Sequence, residues 1–314
     1  MTHSKQRRKR RTRRFREELD DLIRGVCGGF LFGIPVLYTM EVWWIGSSIS
    51  SPRLLGILLA TLLGTYLLSS TAGFRKSQAA TKREAFGDAV EAIALGIVCA
   101  TLMLIVLRQV TFDTRLSEAI GKIIFESVPF SLGVALSNQF LRDGDDDSSG
   151  SENKPKKKEE QQSKSHSKTP KRKKRFFPEK NNLNETISDL SATLLGAVVI
   201  AFSIAPTDEV TMLVAAIHGL WLMMVVIISL ILSYSIVFQA NFTRQGQRRL
   251  QQGLFQGPMS ETVFSYLVSL LAAGLMLSFF QKIDPAAPLD LAFRQILVLG
   301  LPATIGGAAG RLVL

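Results

Sequence analysis

The sequence lacks the residues and motifs from which most catalytic and metal sites are built. It has only two cysteines, Cys27 and Cys99, and both lie inside apolar blocks, too isolated to form a metal or redox motif. A phosphate-binding loop, a dinucleotide fingerprint and a nucleophile with its base are also missing. We therefore expect no enzyme activity, no cofactor and no bound metal.

Short segments of alternating polar and apolar residues, which a membrane β-barrel requires, are missing as well. The chain is instead 47% hydrophobic with a net charge of +11, and its apolar residues fall in blocks of about 20, enough for a helix to cross roughly 30 Å of hydrocarbon. Because the bilayer offers no water to backbone groups, each block must be helical. The pattern predicts an all-α polytopic membrane protein embedded in a lipid bilayer.

The apolar blocks predict eight helices. We place them at residues 21–44, 53–74, 85–108, 117–141, 185–205, 209–240, 259–281 and 290–312. The fourth block is the least apolar, because it contains Lys122, Glu126, Pro129 and Asn138.

Loop charge supports the count of eight. The N-terminus and the segments 75–83, 142–183 and 244–249 are rich in Lys and Arg, whereas the loops at 45–52, 109–116, 206–208 and 282–289 are poor in them. Basic loops stay in the cytoplasm, so an even number of helices must separate them. We expect a plasma-membrane protein with both termini in the cytoplasm.

Two polar regions flank the membrane segments. Residues 1–16 form a basic tail, and residues 142–183 are a charged segment that ends in the run Lys171–Arg175. With almost no apolar residue before Phe176, this segment is predicted to be a disordered linker. Its basic tracts either fix the topology or bind anionic lipid or an acidic partner. We do not interpret the basic tail as a nucleic-acid arm, because a retained membrane helix follows it.

The two sides of the linker resemble each other. A shift of 168 residues aligns Glu17–Phe74 with Glu185–Phe242, and a shift of 173 aligns Asp88–Ala135 with Glu261–Ala308. Gly28 then matches Gly196, and Pro129 matches Pro302. The sequence predicts two tandem four-helix repeats, 17–141 and 184–314, in parallel orientation.

Acidic residues within or beside the spans are the candidates for an ion pathway, because charge in a bilayer usually faces a cavity or a partner. They are Asp88, Glu91, Glu126, Glu261, Glu84, Asp189, Glu185, Glu41 and Glu209. Glu84, Glu185, Asp189 and Glu261 could instead only stabilise helix starts through the macrodipole. Glu91 and Glu126 lie deeper, so we expect a functional or paired role for them, with Lys122, Arg108 or His218 as possible partners.

Three prolines lie inside predicted helices. Pro35, Pro129 and Pro302 should kink these helices or free carbonyl groups that can bind an ion or a hydroxyl. Gly29 with Gly33, and Gly306 with Gly310, form small-residue faces that favour close helix packing.

Two stretches resemble a known family. Gly28–Pro35, which reads GGFLFGIP, and Lys82–Val90, which reads KREAFGDAV, resemble a bacterial family of integral membrane proteins of unknown function that is common in cyanobacteria. The resemblance covers the helical regions and implies a multi-pass topology without implying an activity.

Residues 82–94 also resemble the first-helix signature, Arg-x-x-x-Phe-Ser-Asp, of endolysosomal and bacterial potassium channels. Phe86 and Asp88 match, whereas Gly87 replaces the serine and no arginine has the required spacing. The predicted repeat is also four helices long, where the channels use six. In those channels this helix lines the pore, so the resemblance implies cation permeation.

Two functions are consistent with these features. In the first, the protein is a cation channel or secondary transporter whose path lies between the repeats, and Asp88→Asn or Glu91→Gln should abolish ion flux. In the second, it is a non-transporting scaffold or regulator that binds a cytoplasmic partner or anionic lipid through its tail and linker. The sequence also leaves an oligomer possible.

Overall fold

The computed structural model describes residues 2–71, 82–149, 182–239, 258–283, 286 and 288–313, and the part of the chain that it describes is helical without strands. The first half of the chain forms the helices α1 (Thr2–Leu37), α2 (Met40–Ser48), α3 (Ser51–Thr71), α4 (Lys82–Val106) and α5 (Leu116–Ser149). The second half forms α6 (Asn182–Ile204), α7 (Glu209–Ala216), α8 (Leu220–Tyr234) with a π-helical turn (Ser235–Gln239), α9 (Pro258–Phe279) and α10 (Leu289–Val313).

Six of the described helices are long and apolar enough to cross a membrane alone. They are α3, α4, α5, α8 with its π turn, α9 and α10. Two further spans are each a bent pair, α1 with α2 and α6 with α7, so the described chain has six to eight crossings. The sequence-based count of eight is the upper end of this range.

Two predicted helices are wrong in their continuity. The segment 21–44 is broken after Leu37, where α1 and α2 meet at 90°. The segment 209–240 is two helices, because α7 ends at Ala216 and α8 begins at Leu220. Gly219, between α7 and α8, has φ +50°, a conformation that glycine adopts at little cost.

The predicted boundary of the linker also needs correction. Helix α5 continues to Ser149, so residues 142–149 are helical rather than disordered. Extending an existing helix needs no new nucleus, which lets a polar segment remain helical beyond an apolar one. Residues 150–181, with the run Lys171–Arg175, lie outside the described residues, as do the basic segments 75–81 and 244–249.

One helix organises the core of each half. Helix α5 packs against α1, α2, α3 and α4, and α10 packs against α6, α7, α8 and α9. A Cβ atom on Gly28 of α1 would collide with the backbone of Gly133 in α5, and one on Gly196 of α6 would collide with Gly306 in α10. The absence of side chains at these four positions lets the helices approach each other closely.

The outward surface of the helices is apolar. In α3, for example, Leu55, Leu59, Leu63 and Leu67 are all more than half exposed. Their spacing of four residues puts them on one face. An apolar stripe of this length suits contact with lipid rather than water.

Candidate functional site

The two helix breaks bring polar groups into the interior of the bundle. The first lies at Tyr38 and Thr39, between α1 and α2, and the second spans residues 205–208, between α6 and α7, with bends of 90° and 89°. Pro206 explains why α6 cannot continue. The first break follows Pro35, but α1 continues two residues beyond this proline. Each break exposes backbone groups that need partners inside the protein.

Glu209 connects the two breaks. Its carboxylate Oε1 accepts a hydrogen bond from the backbone N–H of Met40, at 3.4 Å. Met40 is the first residue of α2 and Glu209 the first of α7, so a carboxylate of the second half lies at the N-terminus of a helix of the first half. The side chain of Glu209 is only 5% exposed, and its Oε2 has no hydrogen-bond partner among the described residues.

A second contact joins the halves at the same place. The hydroxyl of Tyr38 donates to the carbonyl oxygen of Val298 in α10, at 2.7 Å. Pro302 lies four residues after Val298 and has no N–H, so this carbonyl lacks its usual partner within the helix. The Tyr38 hydroxyl provides the missing donor, and both residues are buried.

Glu126 of α5 is the most deeply buried acid near the breaks. It is 0% exposed, and neither carboxylate oxygen has a hydrogen-bond partner in the described part of the chain. The indole of Trp43 in α2 faces the carboxyl group, but its N–H donates to the carbonyl of Leu37, at 2.9 Å. The carboxyl group therefore lies in an apolar environment without a partner in hydrogen-bond geometry.

The first turn of α2 lies between these two acids. Met40 at its start contacts Glu209, and Trp43, three residues later, faces Glu126. Three residues correspond to about 4.5 Å along a helix. A movement of this single turn would therefore change the surroundings of both carboxyl groups together.

The cationic partners expected for Glu126 are bound elsewhere. Lys122 pairs with Glu118 at 2.7 Å and donates to a backbone carbonyl, Arg108 lies over the ring of Trp221 at 5.2 Å, and His218 contacts Arg294. The expectation that one of them pairs with Glu126 is wrong. Lys122 lies one turn from Glu126 on the same helix, but its ammonium group extends to the carbonyl of Gln109, at 3.2 Å.

One family model matches most of the chain. The family model described as "Putative integral membrane protein (DUF2391)" matches residues 21–314, which include every helix around the two breaks. The chain belongs to the DUF2391 family. It is therefore an integral membrane protein, and the resemblance to such a family that its helical regions indicate is confirmed. Neither the curated proteins nor the solved structures provide a significant match.

This DUF2391 chain has a second polar cluster, centred on Arg311 near the end of α10. The guanidinium is 2% exposed and contacts the carboxylate of Glu261 in α9. It lies 3.6 Å from the carboxylate of Asp189 in α6 and donates to Ser265 at 3.0 Å. The ring of Phe238, in the π turn, lies 5.9 Å from it. The cluster thus joins α6, α9, α10 and the π turn at the end of the bundle opposite the breaks.

The acids at the start of α4 lie apart from Glu126. Glu84 and Glu91 are exposed and Asp88 is half-buried. Gly96 of α4 packs against Ser131 of α5, and counting along these antiparallel helices at 1.5 Å per residue puts Asp88 roughly 20 Å from the level of Glu126. The structure therefore brings Glu261 and Asp189 together at Arg311 but does not bring Asp88 or Glu91 to Glu126.

The remaining predicted residues are dispersed. Glu41 is exposed, although it follows Met40 directly, and the side chain of Glu185 lies outside the described residues. Pro129 and Pro302 lie inside α5 and α10, which continue through them.

Sequence reasoning missed Arg311, Tyr38 and Trp43. Arg311, at the end of the apolar block 290–312, is a recognisable signal, since charge within a span tends to have a partner. Tyr38 carried no local signal, because its acceptor is 260 residues away in the chain.

Proposed function

We propose that the protein is a secondary transporter that couples movement of its two halves to a proton or a monovalent cation, with Glu126 as the ion-binding residue. The observation that carries this proposal is the complete burial of Glu126 without a hydrogen-bond partner in the described chain. The location of Glu126 beside a helix break supports it further.

An ionised carboxylate in such a site is costly. Removing a charge from water costs several kcal/mol unless a partner compensates it, so Glu126 is stable here as a neutral acid or as an ion pair with a bound cation. A carboxyl group that is stable in the protein interior only when it holds a proton or a cation has the property that an ion transporter needs. Structural stability alone would favour an apolar side chain of similar volume at this position.

The broken helices favour a transporter over an open channel. Secondary transporters often bind their ions and substrates where a membrane helix is interrupted, because the interruption provides backbone groups within the protein. Two interruptions that contact each other, as α1–α2 and α6–α7 do through Glu209 and Met40, would move whenever the halves move.

The proposal includes a duplicated architecture. The offsets of 168 and 173 residues relate Gly28 and Gly133 to Gly196 and Gly306, and both pairs form close helix contacts. The bends of 90° and 89° occur in the corresponding helix pairs, and α5 and α10 have corresponding positions in the packing. Two parallel copies would provide two units that can rock against each other, with the ion path between them.

The direction in the membrane follows from the basic loops. They favour cytoplasmic termini and a plasma-membrane location, so the breaks lie nearer the outer surface and the Arg311 cluster nearer the cytoplasm. Asp88, Glu91 and Glu84 would then lie at the cytoplasmic end of α4, where they can attract cations to an entrance.

Ion flux in proteoliposomes tests this function. The full-length protein would be reconstituted, and proton, potassium, sodium and calcium movements would be followed under an imposed potential. We expect flux of protons or of one monovalent cation, and at least a tenfold reduction in Glu126→Gln, because the amide cannot bind or release a proton.

Glu118→Gln is the matched control, since it removes a half-buried carboxylate, the partner of Lys122, from the same helix. Undiminished flux in Glu126→Gln would exclude the assigned role of Glu126. Absence of any flux in the wild-type protein, with intact folding, would reject transport and favour the scaffold that binds anionic lipid or a cytoplasmic partner through the tail and linker.

A further inference from the structure

A second carboxyl group, that of Glu209, lies at the contact between the two halves. Its side chain is buried, with an exposed fraction of only 5%. One oxygen accepts the long hydrogen bond from Met40, at 3.4 Å, and the other has no hydrogen-bond partner among the described residues. The group is therefore directed at a helix N-terminus but uses only part of its hydrogen-bonding capacity.

We propose that Glu209 is a second proton-binding site, and that its proton occupancy sets the strength of the contact between the two halves at the breaks. The proposal rests on the proposed function in one respect, that the halves move relative to each other. Its chemistry depends on Glu209 and α2 alone.

The ionised form of Glu209 fits the joined state. The N-terminus of α2 carries a partial positive charge and donor groups that prefer an anion. The preceding residue Thr39 makes no side-chain cap there, so the carboxylate of Glu209 takes the role that a capping side chain usually has. A protonated carboxyl group loses the charge that makes this interaction favourable, and the hydrogen bond from Met40 weakens accordingly.

A proton fits this site better than a metal cation. Hard cations such as Ca²⁺ and Mg²⁺ require about six or more oxygen ligands, whereas the described residues contain no group of three His, Cys, Asp or Glu side chains that could hold a metal. A single carboxyl group with one free oxygen is sufficient for a proton.

Other charged groups near Glu209 are engaged in pairs of their own. Asp208 pairs with Lys282 at 2.8 Å, Arg294 pairs with Asp290 at 2.9 Å, and the Tyr38 hydroxyl donates to Val298. The titratable and charged groups on the surrounding elements are Asp208 and His218 beside α7, Tyr38, Glu41 and Glu126 around α2, Lys282 after α9, and Asp290 and Arg294 in α10. Since these cations have other anions, Glu209 depends on the α2 N-terminus for its stabilisation.

Hydrogen exchange at the start of α2 measures this contact directly. The full-length protein in lipid nanodiscs would be compared at pH 3.5 and pH 8 by mass spectrometry, with rates corrected for the intrinsic effect of pH. We expect exchange of the Met40 amide to rise about tenfold on acidification, because a hydrogen bond to a charged group is lost. In Glu209→Gln, which imitates the protonated acid, we expect high exchange that no longer depends on pH.

Glu41→Gln is the control, because Glu41 lies in the same helical turn but is exposed, and this variant should behave as the wild type. A corrected exchange rate that is equal at both pH values in the wild type would overturn the proposal without reference to any variant. Persistence of the pH dependence in Glu209→Gln would assign it to another group. Hydrogen exchange is measured without transport. The flux experiment on Glu126→Gln and the exchange experiment on Glu209 can therefore fail independently of each other.

Discussion

The buried polar side chains at the two breaks differ in how many of their hydrogen-bonding groups have a partner. Glu209 has a donor, the N–H of Met40, whereas Glu126 has none in the described chain. Tyr38 is fully compensated through Val298. The three groups thus cover the range from a satisfied structural bond to an unsatisfied carboxyl group, and they predict different effects of substitution.

Tyr38→Phe should lower stability without changing the charge of the site. The variant retains the ring but leaves the Val298 carbonyl without a donor, since Pro302 cannot supply one. Hydrogen bonds between membrane helices contribute about 0.6 kcal/mol on average and up to about 1.7, so we expect a loss in this range, measured as a lower midpoint of thermal unfolding in detergent.

Tyr66→Phe provides the comparison, because Tyr66 of α3 is half-buried and makes no corresponding contact between the halves. Equal midpoints for the two variants would mean that the Tyr38 hydroxyl adds nothing to the joining of the halves.

At the scale of elements, close helix contacts depend on glycine. Gly196 of α6 and Gly306 of α10 approach each other through their backbones, and a side chain on either would collide with the other. The same holds for Gly28 and Gly133 in the first half. Close van der Waals packing holds these helices together, because the hydrophobic effect does not drive association between helices surrounded by lipid.

Gly196→Val should therefore disrupt the second half. The added carbons would push α6 away from α10 and separate Asp189 from Arg311. Overpacking commonly costs 1–3 kcal/mol, occasionally more, and here the obstacle is backbone that cannot move aside. We expect a strongly reduced yield of monodisperse protein in size-exclusion chromatography.

Gly56→Ala in α3 is the matched control for this prediction, since no atom lies within 4 Å of an added Cβ at that position. A normal elution profile for Gly196→Val would show that α6 and α10 can separate without loss of the fold.

The sequence predicted the helical spans well, and it predicted the interruption between α6 and α7, but it missed the breaks after Leu37 and at Gly219. Apolar length identifies α3, α4, α5, α9 and α10, because crossing a bilayer imposes a length. The bend after Leu37 was missed because the apolar residues of α2 continue those of α1 without a glycine or proline at the break itself. The break at Gly219 had a signal, the glycine, but a single glycine is common in membrane helices.

The site was less predictable than the fold, for a related reason. Glu126 and Glu209 could be selected as acids in apolar surroundings. Their difference in hydrogen bonding depends on Met40 and Trp43 of α2, and this arrangement arises only from the bend. Met40 and Glu209 are 169 positions apart in the chain, and contacts over such distances leave no local pattern in one sequence.

On the scale of the whole molecule, the basic loops predict which surface faces the cytoplasm. Cys27 and Cys99 are both buried, so replacing them with alanine would give a background for single cysteines at exposed positions. A cysteine at Phe112 should react with a membrane-impermeant maleimide from outside intact cells, whereas one at Ser163 should react only after the cells are opened.

The reverse labelling pattern would mean that the protein has the opposite orientation in the membrane, with the helix breaks nearer the cytoplasm. Labelling of both positions from one side would require an even number of crossings between them, in conflict with a crossing by α5 and with the proposed duplication.

Burial of Arg311 has a consequence for how the protein is made. An arginine in a membrane helix is costly to insert without a partner: the cost is about 2.5–3.5 kcal/mol at the centre of a span and lower near its end, where Arg311 lies. Its carboxylate partners, Asp189 and Glu261, belong to α6 and α9, which leave the ribosome before it. Helix α10 therefore enters a bilayer that already contains the carboxylate partners of Arg311, so the order of synthesis lowers the cost of inserting this arginine.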